Sequence, residues 1–275
     1  MTTGQHKVAL TFDFDTITSW LANGQTSPTP ISRGEFGLVG AQRLLTLLER
    51  FDIQTTWFIP GLTIDLYPEA CRAIHGAGHE IAHHGYEHIA PGGLSRSEEA
   101  RQLTRGNEAI HRISGQNARG YRSPAWDLSP NSVELLLEQG FVYDSSMMGH
   151  DYVPYRARSG DIIDAEHGVE FGEETSLIEL PISWSLDDYP HFEWVRGGGL
   201  KSAGGVFENW LDDFLYLQEN LETGVLTYTC HPSVIGRGHR MKMLQRLIER
   251  LLELGARFVT AEIAVAESQQ GSGSQ

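Results

Sequence analysis

The feature that most constrains this chain is a repeated alternation of short apolar runs with longer amphipathic ones. Residues 7–15, 54–59, 79–84, 118–122, 141–145, 177–184, 225–231 and 257–260 are short, apolar runs that read as strands. Residues 40–51, 96–114, 132–139, 207–221 and 241–254 carry apolar side chains at helical spacing, as Leu44, Leu45, Leu48 and Phe51 do. Such an order implies parallel strands with helices outside them. An open doubly wound sheet would announce itself by Gly-x-Gly-x-x-Gly after the first strand, and neither that nor a Gly-Lys-Ser/Thr phosphate loop is found. Polar chemistry instead sits at the ends of many strands spread along the chain, as the catalytic face of a barrel requires. The expected fold is a single-domain α/β chain of (β/α) barrel type. It occupies residues 1–267 of 275, followed by a disordered tail over 268–275, with long loops at 23–34 and 187–205 above the catalytic face.

Side chains alternate along a strand, so Thr11, Asp13 and Asp15 share one face while Phe12 and Phe14 take the other. Two carboxylates then meet at one strand end, although an acidic turn would show the same residues. His84 and His88 stand four apart after another strand. Alone they read as a solvated pair; with a carboxylate from Asp13 or Asp15 they make a two-histidine, one-carboxylate site that suits zinc or another late first-row ion. Alternation turns His83 away from His84, and His79 and His83 are left to core or surface. His231 ends the 225–231 strand, where Pro232 fixes the exit, and is placed to act as a general acid. Cys230 points to the opposite face, which disfavours a cysteine–histidine dyad.

Arg122 and Trp126, in Tyr121-Arg122-Ser123-Pro124-Ala125-Trp126, bring a permanent cation and an aromatic face to the same rim, and Arg122 suits the partner of a carboxylate base. Asp144 either orients His231 or caps the loop after its strand. Trp184, Trp194, Asp187 and Asp188 are candidates for lining the substrate pocket, with core packing the competing reading for Trp184.

A formal net charge of -15 repels nucleic acid and anionic membranes, which leaves a neutral or cationic small molecule as the expected partner. No apolar stretch approaches the roughly 20 residues that span a bilayer. Two cysteines far apart, Cys71 and Cys230, read as reduced thiols, and with no leader-like pattern the expected compartment is the cytoplasm. Helices exposed around a barrel favour a homo-oligomer.

Taken together and in order, Thr11-Phe12-Asp13-x-Asp15, His84-x-x-x-His88, Arg122-Ser123-Pro124, Asp144 and His231-Pro232 resemble the polysaccharide deacetylase (NodB-homology) family over roughly residues 7 to 265. Each motif alone is unspecific; five in sequence at strand ends are a strong joint signal. The resemblance implies a distorted (β/α) barrel of about seven strands and hydrolysis of a non-peptide amide C–N bond. Carried over, it makes Asp15, His84 and His88 the ligands of a divalent metal, zinc foremost. Asp13 becomes the base acting on water, Arg122 its support, a backbone N–H near Ala125 an oxyanion donor, and His231 the acid for the leaving nitrogen. Two departures stand out: Phe14 separates acids that are usually adjacent, and Ala125 stands where the family usually has tyrosine. With Trp184-Ser185-Leu186-Asp187-Asp188 they look closer to a branch of peptidoglycan deacetylase-like proteins, allantoinases and cyclic imide hydrolases. Some allantoinase-like members are held to act without metal, so a metal-free route stays open. The favoured substrate is a small cyclic amide or imide. The alternative is deacetylation of N-acetylglucosamine in peptidoglycan or chitin-type chains, and a non-catalytic carbohydrate-binding role is disfavoured because binding needs neither a base nor an acid.

Overall fold

The strands of the computed structural model, which describes residues 6–193 and 200–271, follow the alternation just read. They are β1 (His6–Asp13), β2 (Thr56–Ile59), β3 (Glu80–His83), β4 (Gly120–Tyr121), β5 (Tyr143–Asp144), β6 (Tyr155–Ser159), β7 (Ile162–Asp164), β8 (Gly168–Glu170), β9 (Glu173–Glu179), β10 (Gly224–Cys230) and β11 (Arg257–Phe258). The helices are α1 (Thr18–Ala22), α2 (Pro28–Phe51), α3 (Gly61–Leu66), α4 (Pro68–Gly76), α5 (Arg96–Ser114), α6 (Ser132–Glu138), α7 (Asp188–Phe192), α8 (Ala203–Asn220), α9 (Pro232–Ile235), α10 (Gly238–Glu253) and α11 (Ala261–Gly271). Seven parallel strands run in the order β10-β1-β2-β3-β4-β5-β9, with β6 antiparallel on the outer edge of β9 and β11 beside the start of β1. One further parallel pairing, Asp187 with Thr229 of β10, joins the chain leaving β9 to the other end of the sheet. The result is a distorted barrel of seven parallel strands.

Both faces of β1 are buried, and they belong to different layers. Leu10, Phe12 and Phe14 pack outward with Trp57, Leu44 and Leu247 in the main core, whereas Ala9 joins Phe58, Ala82, Tyr143 and Val225 inside the curl. Each large side chain so buried contributes about 1.5–3 kcal/mol. Ala261, Ala264 and Val265 of α11 fill the same interior, and the first amides of that helix bond Thr56 Oγ1 and Glu80 Oε2. That closes the end where the strands begin, so side chains that need solvent or substrate are left with the end where they finish.

Four expectations change, the first at 187–205, where α7 and the start of α8 fall within the expected loop. The loop expected at 23–34 is helical from Pro28, because Pro in the first turn of a helix gives up an N–H that would have had no partner there. The tail expected from Ser268 is still helix through Gly271. The segment 155–170, read as no element, forms β6 and the β7–β8 hairpin; Ile162, Ile163 and Val169 are exposed there, so no buried alternation marks it. By contrast α5 has the bounds expected, set by a Ser95/Glu98 capping box and a left-handed Gly115.

Candidate active site

At the end of β1 the chain turns on the Asp15 carbonyl, which accepts the hydroxyls of Thr16, Thr18 and Thr63 at 2.6–2.7 Å. This leaves Asp13 and Asp15 facing the barrel mouth, both buried. Arg122, wholly buried at the end of β4, donates from Nη1 to Asp13 Oδ1 at 2.7 Å and to Thr11 Oγ1 at 2.8 Å. Its Nε and Nη2 bond the Ser145 carbonyl and hydroxyl, and the guanidinium lies 4.0 Å from the Phe58 ring centre. Asp13 is thereby held by one oxygen, while Oδ2 faces His84 Nε2 at 3.8 Å and His231 Nε2 at 4.0 Å.

His84 donates from Nδ1 to the Arg122 carbonyl at 2.7 Å, which fixes its tautomer and leaves the Nε2 lone pair turned to Asp15 Oδ1 at 3.5 Å. His88 reaches Asp15 Oδ2 at 3.3 Å, with its own backbone in the left-handed region at φ 59. The turn between them is held from α5: Gln102 Oε1 accepts the amides of Tyr86 and Glu87. His83 points the other way and bonds the Leu103 carbonyl, as alternation demands.

His231 receives its partners from α7. Its Nδ1 lies 2.8 Å from Asp188 Oδ1, its amide donates to the same carboxylate, and Asp187 Oδ1 is 3.5 Å away. Burial opposes charge on the ring, but Asp187 and Asp188, helped by Asp13, outweigh it and hold the imidazole well above its usual range. Burial likewise pushes Asp187 up to about 7, against the attraction of His231. Asp188 therefore acts on His231 directly, where a pocket-lining place was expected.

Asp144 does not take the orienting place. Its Oδ1 accepts from Ser146 Oγ at 2.7 Å and its carboxyl meets Glu179, a residue the sequence reading passed over because a lone acid within an apolar strand carries no spacing signal. The Asp187-Asp188 doublet was expected at the pocket wall, and nothing in its spacing joined it to His231. Ala125 is exposed with φ 58, and Trp126 stacks on Trp184 with ring centres 4.1 Å apart. Trp184 is 45% exposed, which overturns core packing for it. Trp194 lies outside the described residues. Cys230 faces the main core, away from His231.

Asp15, His84 and His88 offer ligand atoms that all lie within 4.8 Å of one another. Asp15 Oδ1 is buried with no hydrogen-bond partner among the described residues, a costly state that a cation would relieve. A tautomer-locked imidazole, a second imidazole and a carboxylate suit a late first-row divalent ion, so the residues present fit a metal. The grouping can polarise a carbonyl, take a proton from water at Asp13 and return one from His231.

Known proteins were compared with this chain. The family model described as polysaccharide deacetylase matches residues 1–143. A peptidoglycan deacetylase of Helicobacter pylori is 35% identical over 271 residues, 92% of each chain, and a peptidoglycan deacetylase-like protein of Gibberella zeae is 28% identical over 95% of this chain and 86% of its own. Among solved structures, a Mycobacterium smegmatis protein described by its family as a polysaccharide deacetylase superposes with a TM-score of 0.85 at 31% identity, covering 98% of this chain and 92% of that one. The PuuE allantoinase superposes at 0.79 with 22% identity over 99% and 92%, a likeness of fold.

Proposed function

Since the chain belongs to the polysaccharide deacetylase family and is a hydrolase of non-peptide amide C–N bonds, we propose that it removes the acetyl group from N-acetylglucosamine units of a peptidoglycan-type glycan. The observation that carries this reading is the 35% identity to a peptidoglycan deacetylase along 92% of both chains. The Trp126–Trp184 stack adds an exposed aromatic face at the rim, of the kind that covers the apolar face of a sugar ring.

A divalent ion, which we take to be zinc, would be held by Asp15, His84 and His88 and would supply Lewis-acid activation of the amide carbonyl and of water. Asp13 takes the proton of the attacking water through Oδ2, because Arg122 occupies Oδ1 and fixes the carboxylate plane. His231, kept protonated by Asp187 and Asp188, delivers its Nε2 proton to the leaving nitrogen, and the C–N bond breaks to give acetate and a free amine. Asp13 and His231 face each other across 4.0 Å, so base and acid act on one reacting centre. Ala125, near which a backbone N–H was expected to serve as oxyanion donor, follows Arg122 by three residues with its backbone in the left-handed region.

A second reading, hydrolysis of a small cyclic amide or imide, is favoured by one observation. Arg33 of α2 forms an ion pair with Glu193 beyond α7. Gly34, next to Arg33, packs on the Thr16 backbone beside Asp15, and α7 carries the partners of His231. The ion pair thus ties the helix next to Asp15 to the chain that follows the partners of His231, an arrangement that suits a small substrate better than a long chain. A small ring would be met in the cytoplasm, where two buried free cysteines are at home. Mass spectrometry after incubation with chito-oligosaccharides, succinimide, hydantoin and allantoin, each with zinc and with chelator, separates the readings. Loss of acetyl from the sugars is expected; gain of one water on a ring with intact sugars would replace deacetylation by ring opening.

A further inference from the structure

Behind Arg122 lies a second pair of acids that the hydrolytic steps do not use. Asp144 at the end of β5 and Glu179 at the end of β9 are both wholly buried and sit side by side on paired strands. Glu179 Oε1 accepts the amides of Ser146 and Met147, each at 2.8 Å, and Asp144 Oδ1 accepts the Ser146 hydroxyl. The remaining oxygens, Glu179 Oε2 and Asp144 Oδ2, are buried with no hydrogen-bond partner among the described residues, and the charge of Asp144 is close enough to act on Glu179. Two buried acids facing each other across paired strands are tolerated together when one of them carries a proton. Every bond of this pair is to the turn 145–147. The same turn is what holds Arg122: its Nε donates to the Ser145 carbonyl at 3.0 Å, its Nη2 to the Ser145 hydroxyl at 3.0 Å, and the next amide, that of Ser123, donates to Ser146 Oγ.

We propose that Glu179 and Asp144, joined by one shared proton, are positioning residues that set the turn 145–147 and through it the angle at which Arg122 presents Asp13 to water. The inference rests on the hydrolytic reading of the site. Of the groups packed around the pair, Arg122 is the cation, and Tyr121 and Tyr155 are phenols whose burial keeps them neutral. Burial, then the charge of Asp144, pushes the Glu179 carboxyl well above its ordinary range, which favours the proton on Glu179.

Glutamine reproduces that protonated state, because its carbonyl can accept the amides of Ser146 and Met147 while its amide donates to Asp144. Glu179→Gln and Glu179→Ala would be compared with the parent by the 15N-labelled Nε–H resonance of Arg122 and by kcat and KM on whichever substrate the parent hydrolyses. Glu179→Ala is expected to shift and broaden the resonance and to lower kcat at least tenfold with KM within twofold. Glu179→Gln is expected to keep the resonance and to hold kcat within about threefold. An unmoved resonance in Glu179→Ala, or equal losses in both variants, would overturn the proposal. A parent that turns over no amide sinks the hydrolytic reading and leaves the resonance to decide the positioning role. If Glu179→Ala does not fold, an alkaline titration decides: the parent resonance must change as the shared proton leaves, and that of Glu179→Gln must not.

Discussion

The division of labour between the two sides of the site is set by single carboxylates. Asp13 is pinned by a cation and is the acceptor of the proposed mechanism; His231 is surrounded by anions and is its proposed donor. The sign of the pH response follows. His231 is raised above its ordinary value, so the acid-competent form is present below that raised value and is lost as pH climbs through it. Asp188→Asn removes the hydrogen-bonded anion and should bring the alkaline limb of kcat/KM down by about one to three pH units, the usual effect of one close charge. Superimposable alkaline limbs in parent and variant would remove Asp188 from this role. The acids of β1 and the histidines at 84, 88 and 231 were legible because strand alternation and four-residue spacing leave marks in a sequence. The partner of His231 was not, since Asp144 and Asp188 are equivalent as letters and only the path of α7 brings one of them to the ring.

At the scale of elements, α2 and α9 meet without side chains between them. A Cβ on Gly40 would lie 1.9 Å from the Pro232 carbonyl oxygen, and one on Gly236 would lie 2.5 Å from the Gly40 Cα. This crossing presses the start of α9, and with it His231, against the barrel. Gly40→Ala must push the two helices apart. The expected loss is about 1–3 kcal/mol, or roughly 2–12 °C in Tm, with a fall in kcat because Pro232 adjoins the acid. Unchanged melting by calorimetry together with unchanged kcat would show that the crossing is loose. Long amphipathic elements such as α5 and α10 were readable from their periodicity. The start of α2, the short helices α3 and α4 and the β7–β8 hairpin were not, because a helix rich in glycine and proline, a two-turn helix and a hairpin with no buried face lack the apolar period that marks an element.

For the molecule as a whole, folding brings together the candidate metal ligands, Asp15 just beyond β1 and the two histidines after β3, which the unfolded chain holds about 70 residues apart. Ion binding is then binding to the native state, and it must raise stability by mass action. Zinc at about one hundred times its dissociation constant should add about 2.7 kcal/mol, or roughly 5–11 °C in Tm. Chelator should abolish the gain, and Asp15→Asn should show none. A melting temperature indifferent to zinc in the parent would mean that Asp15, His84 and His88 hold no metal. No helix among the described residues is long and apolar enough to cross a membrane. The barrel itself was foreseeable from alternation and from polar residues at successive strand ends. Its closure was not, because the joint is the single pair Asp187–Thr229, which has no periodicity to read. Most of the ring is sewn by longer ladders of hydrogen bonds; here a single stitch closes the seam, and His231 hangs beside it. A chain of this design could be refitted to a new leaving group by re-cutting the cloth at residues 183–186, a stretch of wall that lies outside the strand ladders.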